Sequence, residues 1–352
     1  RYVAALDTAA ATAAVAKLAA MIATKPRDAG FTFNSAGISA VTPAVTGREL
    51  DVEASVQALA AALQARLAGG DAPAQVELAV SVVQPPLTTE AARAALPKMK
   101  RISTWTTHYV PGVSNYWGRN ISIPAHDLDG EVLAPGEWFD FWRDIGPVTT
   151  ARGYGQGGAI IGGKSEPTGA LAGGICSTST TIFNAALRAG LEMGERRNHY
   201  YYINRYPLGL DATVFQTDGY TLTMTFRNDT PDPIVIRSYT GSGWVRFDLW
   251  GVPTGRSVTL TKPIVRNVRY ASDLTEVDSG MKPGTSMRLE TPHNGMDVSV
   301  TRYVRDAKGQ LIHTDLFTSH YSPVNGRLVT GPKAAPPPPT PDPTPEVPPP
   351  PA

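Results

Sequence analysis

The sequence predicts an α+β, multidomain protein, and three observations carry that expectation. Helical and alternating apolar patterns are interleaved near the N-terminus, one well-bounded helix stands among short alternating strands in the middle, and the last patterned stretch has no helical period. With 352 residues, of which 42% are hydrophobic, the chain can bury two or three separate cores. The predicted units are a small α+β module at 1–97, an α+β domain with antiparallel strands and a cysteine-bearing helix at 98–250, a small all-β domain at 251–332, and a tail at 333–352.

In the first unit, Val15, Leu18 and Ile22 keep helical spacing until Pro26 stops the run. "FTFNSAGISAV" alternates as a hairpin about Ala36-Gly37. Asp51 is placed to cap a second helix, with Val52, Val56, Leu59, Leu63 and Leu67 as its apolar stripe before Gly69-Gly70. "QVELAVSVV" puts Val76, Leu78, Val80 and Val82 on one face of a half-buried strand. No catalytic constellation is visible here, which favours a binding or spacer role.

In the middle unit, "YTLTMTFRN", "PIVIRSYT" and "GWVRFDLWG" read as an antiparallel meander joined by Asn-Asp-Thr-Pro and Gly-Ser-Gly turns. In the third, "SMRLETP", "MDVSVTRYV" and "LIHTDLFTSHY" read as strands, with an Asp-Ala-Lys-Gly turn between the last two. From Ala334 the proline-rich tail is compatible only with polyproline II or disordered chain, a stiff spacer suited to reaching through a wall or linking domains.

Composition narrows the function. A net charge of +1, with no Lys/Arg runs interleaved with aromatics, argues against nucleic acid as partner. No run reaches the roughly 18 apolar residues of a membrane-spanning helix. The chain opens on Arg1 instead of Met, as expected when an upstream segment has been removed. A single cysteine forms no internal disulfide, and outside the cytoplasm such a lone thiol is a candidate reactive group.

Two motifs compete for attention. "GAIIGGKS" at 158–165 fits the spacing of a phosphate-binding loop, but such a loop needs a helix leaving it, and Pro167 and Gly169 follow almost at once. No nucleotide site or other cofactor is expected. Cys176 opens the predicted helix that ends at Gly190, where unpaired N–H groups favour a thiolate and can hold an oxyanion. Gly173 and Gly174 leave room for a substrate backbone to approach. A buried structural cysteine fits the local sequence equally well.

His199, which follows the helix and "LEMGERR", favours a Cys–His pair, with Asp211 of "GLDATV" as the residue orienting the imidazole and Asn198 or Asn204 as alternatives. The other histidines show no metal-ligand spacing, so no metal is expected. The aromatic clusters "HYYYINRY" and "EWFDFW" are candidates for a groove, core packing being as plausible for Trp138 and Phe141. If the first cluster is strand-like, Tyr201 and Tyr202 face opposite sides; these two and Arg205 are the candidate substrate contacts there.

The blocks "NISIPAHDLDGEVLAPGEWFDF", "GYGQGGAIIGG", "GGICSTSTTIFNAALRAGLEMGERRNH" and "GLDATV" together resemble the VanW domain family over about residues 98–250. The first unit is similar to a peptidoglycan-binding domain that often precedes VanW, and the third more weakly resembles a small β domain named for its five glycines. The resemblance implies an extracytoplasmic bacterial protein of the cell wall, usually anchored by an N-terminal membrane helix, with peptidoglycan stem peptides and glycan as partners. It further implies L,D-transpeptidase activity, since some VanW-domain proteins are assigned that role with a cysteine nucleophile. The family's cysteine and histidine fall on Cys176 and His199. Ser177-Thr178 stand where the family usually has Gln-Val, so Ser177 is the candidate backbone donor to substrate. Two alternatives remain: a non-catalytic peptidoglycan-binding protein with a structural Cys176, and a cysteine peptidase hydrolysing the same stem-peptide bond.

Overall fold

The computed structural model describes residues 7–35, 37–69, 75–111, 116–161 and 164–333. The expected proline-rich tail lies outside them, as do Ala36 at the tip of the first hairpin and Gly70 after the second helix.

The N-terminal part is built from local signals. Asp7 caps the helix Thr8–Ile22 by accepting from the N–H groups of Ala9 and Ala10. Asp51 caps the helix Val52–Leu67 through Ala54 N–H. The two helices share a small core of Val15, Leu50 and Val56, and the stripe of the second fades towards its end, where Leu67 is exposed. The hairpin Gly30–Asn34 with Gly37–Thr42 forms as expected. The strand expected from Val76 onward is shorter. Only Val80–Val83 pairs, with Gly47–Leu50, and Val80 and Val82 are exposed. This pair is a two-stranded ribbon, and it is Leu78, just before it, that packs against the small core.

A four-stranded antiparallel sheet, in the order Lys100–His108, Trp244–Gly251, Ile234–Gly241 and Val132–Leu133, forms the floor of the middle part. The expected meander is corrected in its first member. "YTLTMTFRN" breaks in two: Tyr220–Leu222 pairs with Phe215–Thr217, and Thr225–Arg227 pairs with Glu192–Met193 and Trp138–Asp140. At the break the carbonyls turn to other partners, Leu222 O accepting from Trp142 Nε1 and Met224 O from Phe141 N–H, and beyond it Phe226 stacks on Phe139 at 4.6 Å. Asn228 then bends the chain, its amide donating to the carbonyls of Leu133 and Asp232. In the segment resembling a phosphate loop, Gln156–Ile161 pairs antiparallel with Lys164–Leu171, and a strand, not a helix, continues from Lys164.

The helix Cys176–Ala189 packs across the strands Lys100–His108 and Trp244–Gly251. Every residue from Ser177 to Leu187 is buried, so it is a central helix instead of an amphipathic surface one. Gly190, at φ 77°, ends it in the left-handed conformation.

Residues 251–333 contain strands and loops only. Gly295–Arg305 and Leu311–Tyr321 form a long hairpin over the Asp-Ala-Lys-Gly turn, flanked by Ser257–Leu260 and Ile264–Arg269. A smaller sheet pairs Asp273–Val277 and Ser286–Glu290 with Gly326–Thr330. This part is docked tightly on the helix. Val300 and Phe317 join the main core, and Phe317 meets Phe183 edge-on at 5.7 Å. Arg302, fully buried, donates to the carbonyls of Leu187 and Leu191 at 2.8 Å each and pairs with Asp315. At the other end of the sheet, Phe33 of the first hairpin packs beside Trp250, seating the N-terminal part on the middle one.

Candidate active site

The N-terminus of the central helix is made by tight backbone packing. Gly174 adopts φ 105°, and a Cβ there would lie 1.6 Å from Cδ1 of Trp117. A Cβ on Gly173 would lie 2.3 Å from the Gly157 carbonyl. Buried Asn120 locks the crossing, donating to the carbonyls of Gly155 and Gly173 and accepting from Gly155 N–H. The expectation that these two glycines make room for substrate is therefore corrected: the space belongs to the indole and to the neighbouring strand.

Ser177 is corrected too. Its N–H donates to Gly174 O at 2.9 Å, its side chain is buried, and its hydroxyl bonds the Tyr206 hydroxyl at 2.9 Å. The N–H groups of Thr178 and Ser179 turn back to Ile175 O. Of the four N–H groups that a helix start leaves without intrahelical acceptors, those of Ser177, Thr178 and Ser179 are engaged in these turn bonds, which leaves the Cys176 N–H as the candidate oxyanion donor among the described residues.

The hydroxyl-rich stretch "STSTT" explains how a distant segment reaches the cysteine. Ser179 and Thr180 both donate to Ala212 O, and Thr180 Oγ1 accepts from Ala212 N–H. One turn further, Asn184 Nδ2 donates to Leu210 O at 2.8 Å. Positions 176, 180 and 184 share a helix face, so residues 210–214 are strapped along it. Thr213 Oγ1 and Val214 O each come within 3.4 Å of Cys176 Sγ.

The strap delivers Asp211 to His199. Asp211 Oδ2 accepts from His199 N–H at 2.7 Å and lies 2.6 Å from His199 Nδ1. With Nδ1 committed there, Nε2 is left for Cys176, and the two groups lie close enough that each shifts the other's protonation. Tyr206 stacks on the ring at 5.2 Å, and His199 is 6% exposed.

The electrostatics follow from this geometry. Burial pushes the Cys176 thiol up, but the hydrogen bond and charge of His199, aided by the Thr213 hydroxyl, hold it below its ordinary value. Burial pulls His199 down, yet Asp211 and Cys176 raise it to about 9. Burial raises Asp211, and the bonds to His199 and the charge of Arg196 bring it to about 2. The arrangement favours a thiolate–imidazolium pair. The Thr213 hydroxyl can donate to the thiolate, whereas the Val214 carbonyl can accept only from the neutral thiol.

The remaining candidates separate. Residues 200–206 form bends and turns, so the expected strand alternation does not arise. Tyr201 is buried against His293, with ring centroids 4.1 Å apart. Tyr202 donates to Tyr206 O and meets Tyr321 edge-on. Tyr201 is a packing residue here, which corrects its reading as a groove wall, whereas Tyr202 is half-buried. Arg205 stays at the site, its guanidinium 4.7 Å from the rings of Trp117 and Tyr206 and its Nη2 donating to Tyr206 Oη. Of "EWFDFW", Phe139 and Phe141 are core, and Trp138 is exposed on the strand paired with Thr225–Arg227. Asn198 bonds the carbonyls of His199 and His320 and does not orient the imidazole. Sequence reading placed Tyr206 in a candidate groove cluster but missed Thr213, Arg196 and Tyr321. Thr213 was the one with a local signal, two residues beyond Asp211 in an extended strap.

Fold and site together define a modular α+β protein with a Cys–His–Asp constellation at the start of a buried helix. Residues 117–250 match the family described as "VanW like protein", and residues 1–69 match "Putative peptidoglycan binding domain". Over these two stretches the chain is thus similar to VanW-like and peptidoglycan-binding domains, a combination that points to cell-wall association.

Among curated proteins, the uncharacterized protein YoaR of Bacillus subtilis is 31% identical over 175 residues, covering 49% of this chain and 55% of that protein. The vancomycin B-type resistance protein VanW of Enterococcus faecalis is 30% identical over 118 residues, covering 32% and 40%. The chain therefore spans only part of these relatives' lengths. Two solved G5 domains are similar over 22% of this chain: that of HP0197, at 21% identity with 97% of its chain covered and a TM-score of 0.13, and that of IgA1 protease, at 15%, 94% and 0.15. Those scores are too low to support a fold assignment.

Proposed function

We propose that this protein is an extracytoplasmic, cysteine-dependent L,D-transpeptidase of the cell wall. The observation that supports it most directly is the buried relay in which Asp211 holds His199 and His199 meets Cys176 at a helix N-terminus. In the acylation half, the Cys176 thiolate attacks the carbonyl that joins the third stem residue to the terminal D-Ala. The oxyanion forms beside the Cys176 N–H, the protonated His199 gives its proton to the departing amine, and D-Ala leaves. A thioester remains. In the second half a side-chain amine of a neighbouring stem attacks the thioester, His199 takes the amine proton, and a 3–3 crosslink is released with the thiolate restored. Asp211 orients the ring and stabilises its charged form throughout. The N-terminal domain would hold the enzyme against polymer and raise the effective substrate concentration.

The test is D-Ala release from tetrapeptide stems, with Cys176→Ala as blank. Release by wild type alone is expected, together with a covalent adduct on Cys176, by intact mass, after exposure to a carbapenem. Equal release by the two proteins ends the catalytic reading and leaves a wall-binding protein. Tripeptide stems accumulating without dimer would identify a hydrolase instead.

A further inference from the structure

The carboxylate of the relay is held from beyond the VanW-matched segment. Asp211 Oδ1 accepts from Tyr321 Oη and, at 3.1 Å, from Arg196 Nη2. The same guanidinium is fixed by Thr318 O and Ser319 Oγ, both at 2.9 Å. Tyr321 Oη also accepts from Gly209 N–H at 3.2 Å, which ties down the start of the strap. Ser319 and Tyr321 lie two apart on the strand Leu311–Tyr321 and so share a face; both are buried. That strand belongs to the C-terminal β part, whereas the family match ends at residue 250.

We propose that Tyr321 is a positioning residue for the Cys176–His199 pair, so that the site is assembled across two modules and is incomplete without the C-terminal one. The proposal rests on the reading of Cys176 and His199 as a reactive pair, not on the identity of the substrate. A carboxylate carried on an irregular segment can turn about its last side-chain bond. His199 occupies one oxygen, and only a fixed partner on the other keeps that oxygen in the plane of the imidazole. The Tyr321 phenol supplies this partner together with Arg196, which is itself held by Thr318 and Ser319 of the same strand. Burial and the Asp211 charge push the phenol up, which keeps it a donor at neutral pH, and its ring is wedged against Tyr202 at 5.6 Å.

The full chain carrying Tyr321→Phe tests this. The rate of Cys176 alkylation by iodoacetamide is measured against pH, alongside D-Ala release and the melting temperature. A loosened Asp211 supports the imidazolium less, so the alkylation midpoint should move up by about one pH unit and acylation should slow about tenfold, the scale of one hydrogen bond to a charged group. Ser319→Ala, which keeps the Tyr321 bond and removes one support of Arg196, should shift the midpoint in the same direction by less.

An unchanged alkylation profile in folded Tyr321→Phe overturns the proposal. So does a downward shift, which would mean that Tyr321 only drains charge from Asp211 and leaves its position alone. If Tyr321→Phe does not fold, Ser319→Ala decides: an upward shift supports the proposal and a wild-type profile overturns it. A wild-type thiol titrating as a free cysteine would remove the reactive pair and this proposal with it. A depressed thiol without D-Ala release would remove only the assigned substrate.

Discussion

Replacing Asp211 by Asn should be among the most damaging conservative substitutions in this protein. The Asp211 side chain is fully buried, and its two oxygens accept from His199 N and Nδ1, Tyr321 Oη and Arg196 Nη2. An Asn amide keeps the shape but sets a donor against one of these donors. It also removes the charge facing Arg196, whose side chain is only 6% exposed. Leaving a buried ion without its partner costs about 3–5 kcal/mol.

The pH dependence supplies a second measure. The fall of the Asp211 pKa from 3.8 to about 2 corresponds to about 2 kcal/mol. That contribution is present above 3.8 and is lost as pH falls towards 2. The His199 side of the same interaction is fully present below 6.5 and is lost as pH rises through about 9. The interaction is one and counts once, so it supports the fold most between those limits. Urea unfolding followed by tryptophan fluorescence across this range should show wild type losing stability on both flanks, while Asp211→Asn starts lower and is flatter. A variant within about 1 kcal/mol of wild type at neutral pH, or two parallel pH profiles, would refute the reasoning.

Three further outcomes are expected. Gly174→Ala, which demands a side chain at φ 105° and 1.6 Å from Trp117, should destabilise by several kcal/mol, about the tail of single-substitution effects, and melting temperature reads it. Arg302→Met, which leaves Asp315 unpaired and the carbonyls of Leu187 and Leu191 without their donor, should cost about 3–5 kcal/mol, seen by the same urea titration. The Cys176 thiol should alkylate with a midpoint below the roughly 8.5 of a free cysteine, and a midpoint at or above it would favour a structural cysteine.

Local signals were legible in the sequence because local physics set them. Asp51 capped the second helix, Gly190 ended the central one, and Asp-Ala-Lys-Gly turned the long hairpin. The cysteine's place at a helix start, and the candidacy of His199 and Asp211, also came from order along the chain. What stayed hidden depends on contacts between distant segments. Gly173 and Gly174 looked open because nothing local reveals that Gly157 and Trp117 fill the space. "TLTMTFRN" alternated as one strand, but it splits where Leu222 O and Met224 O accept from Trp142 and Phe141, residues far away along the chain. Tyr201 could not announce a partner, His293, more than ninety residues away. Tyr321 lies further still from the carboxylate it holds.

Arg302 bears on how the protein can be cut. A fragment ending at residue 250, where the family match stops, would keep Cys176, His199 and Asp211 yet strand the last carbonyls of its own central helix. It would also uncover Phe183 and one oxygen of Asp211. The unit of sequence descent and the unit of mechanical integrity then differ. The shortest piece expected to fold with its thiol poised runs from the strand at Lys100 through the strand ending at Thr330, and expression trials should be bounded there.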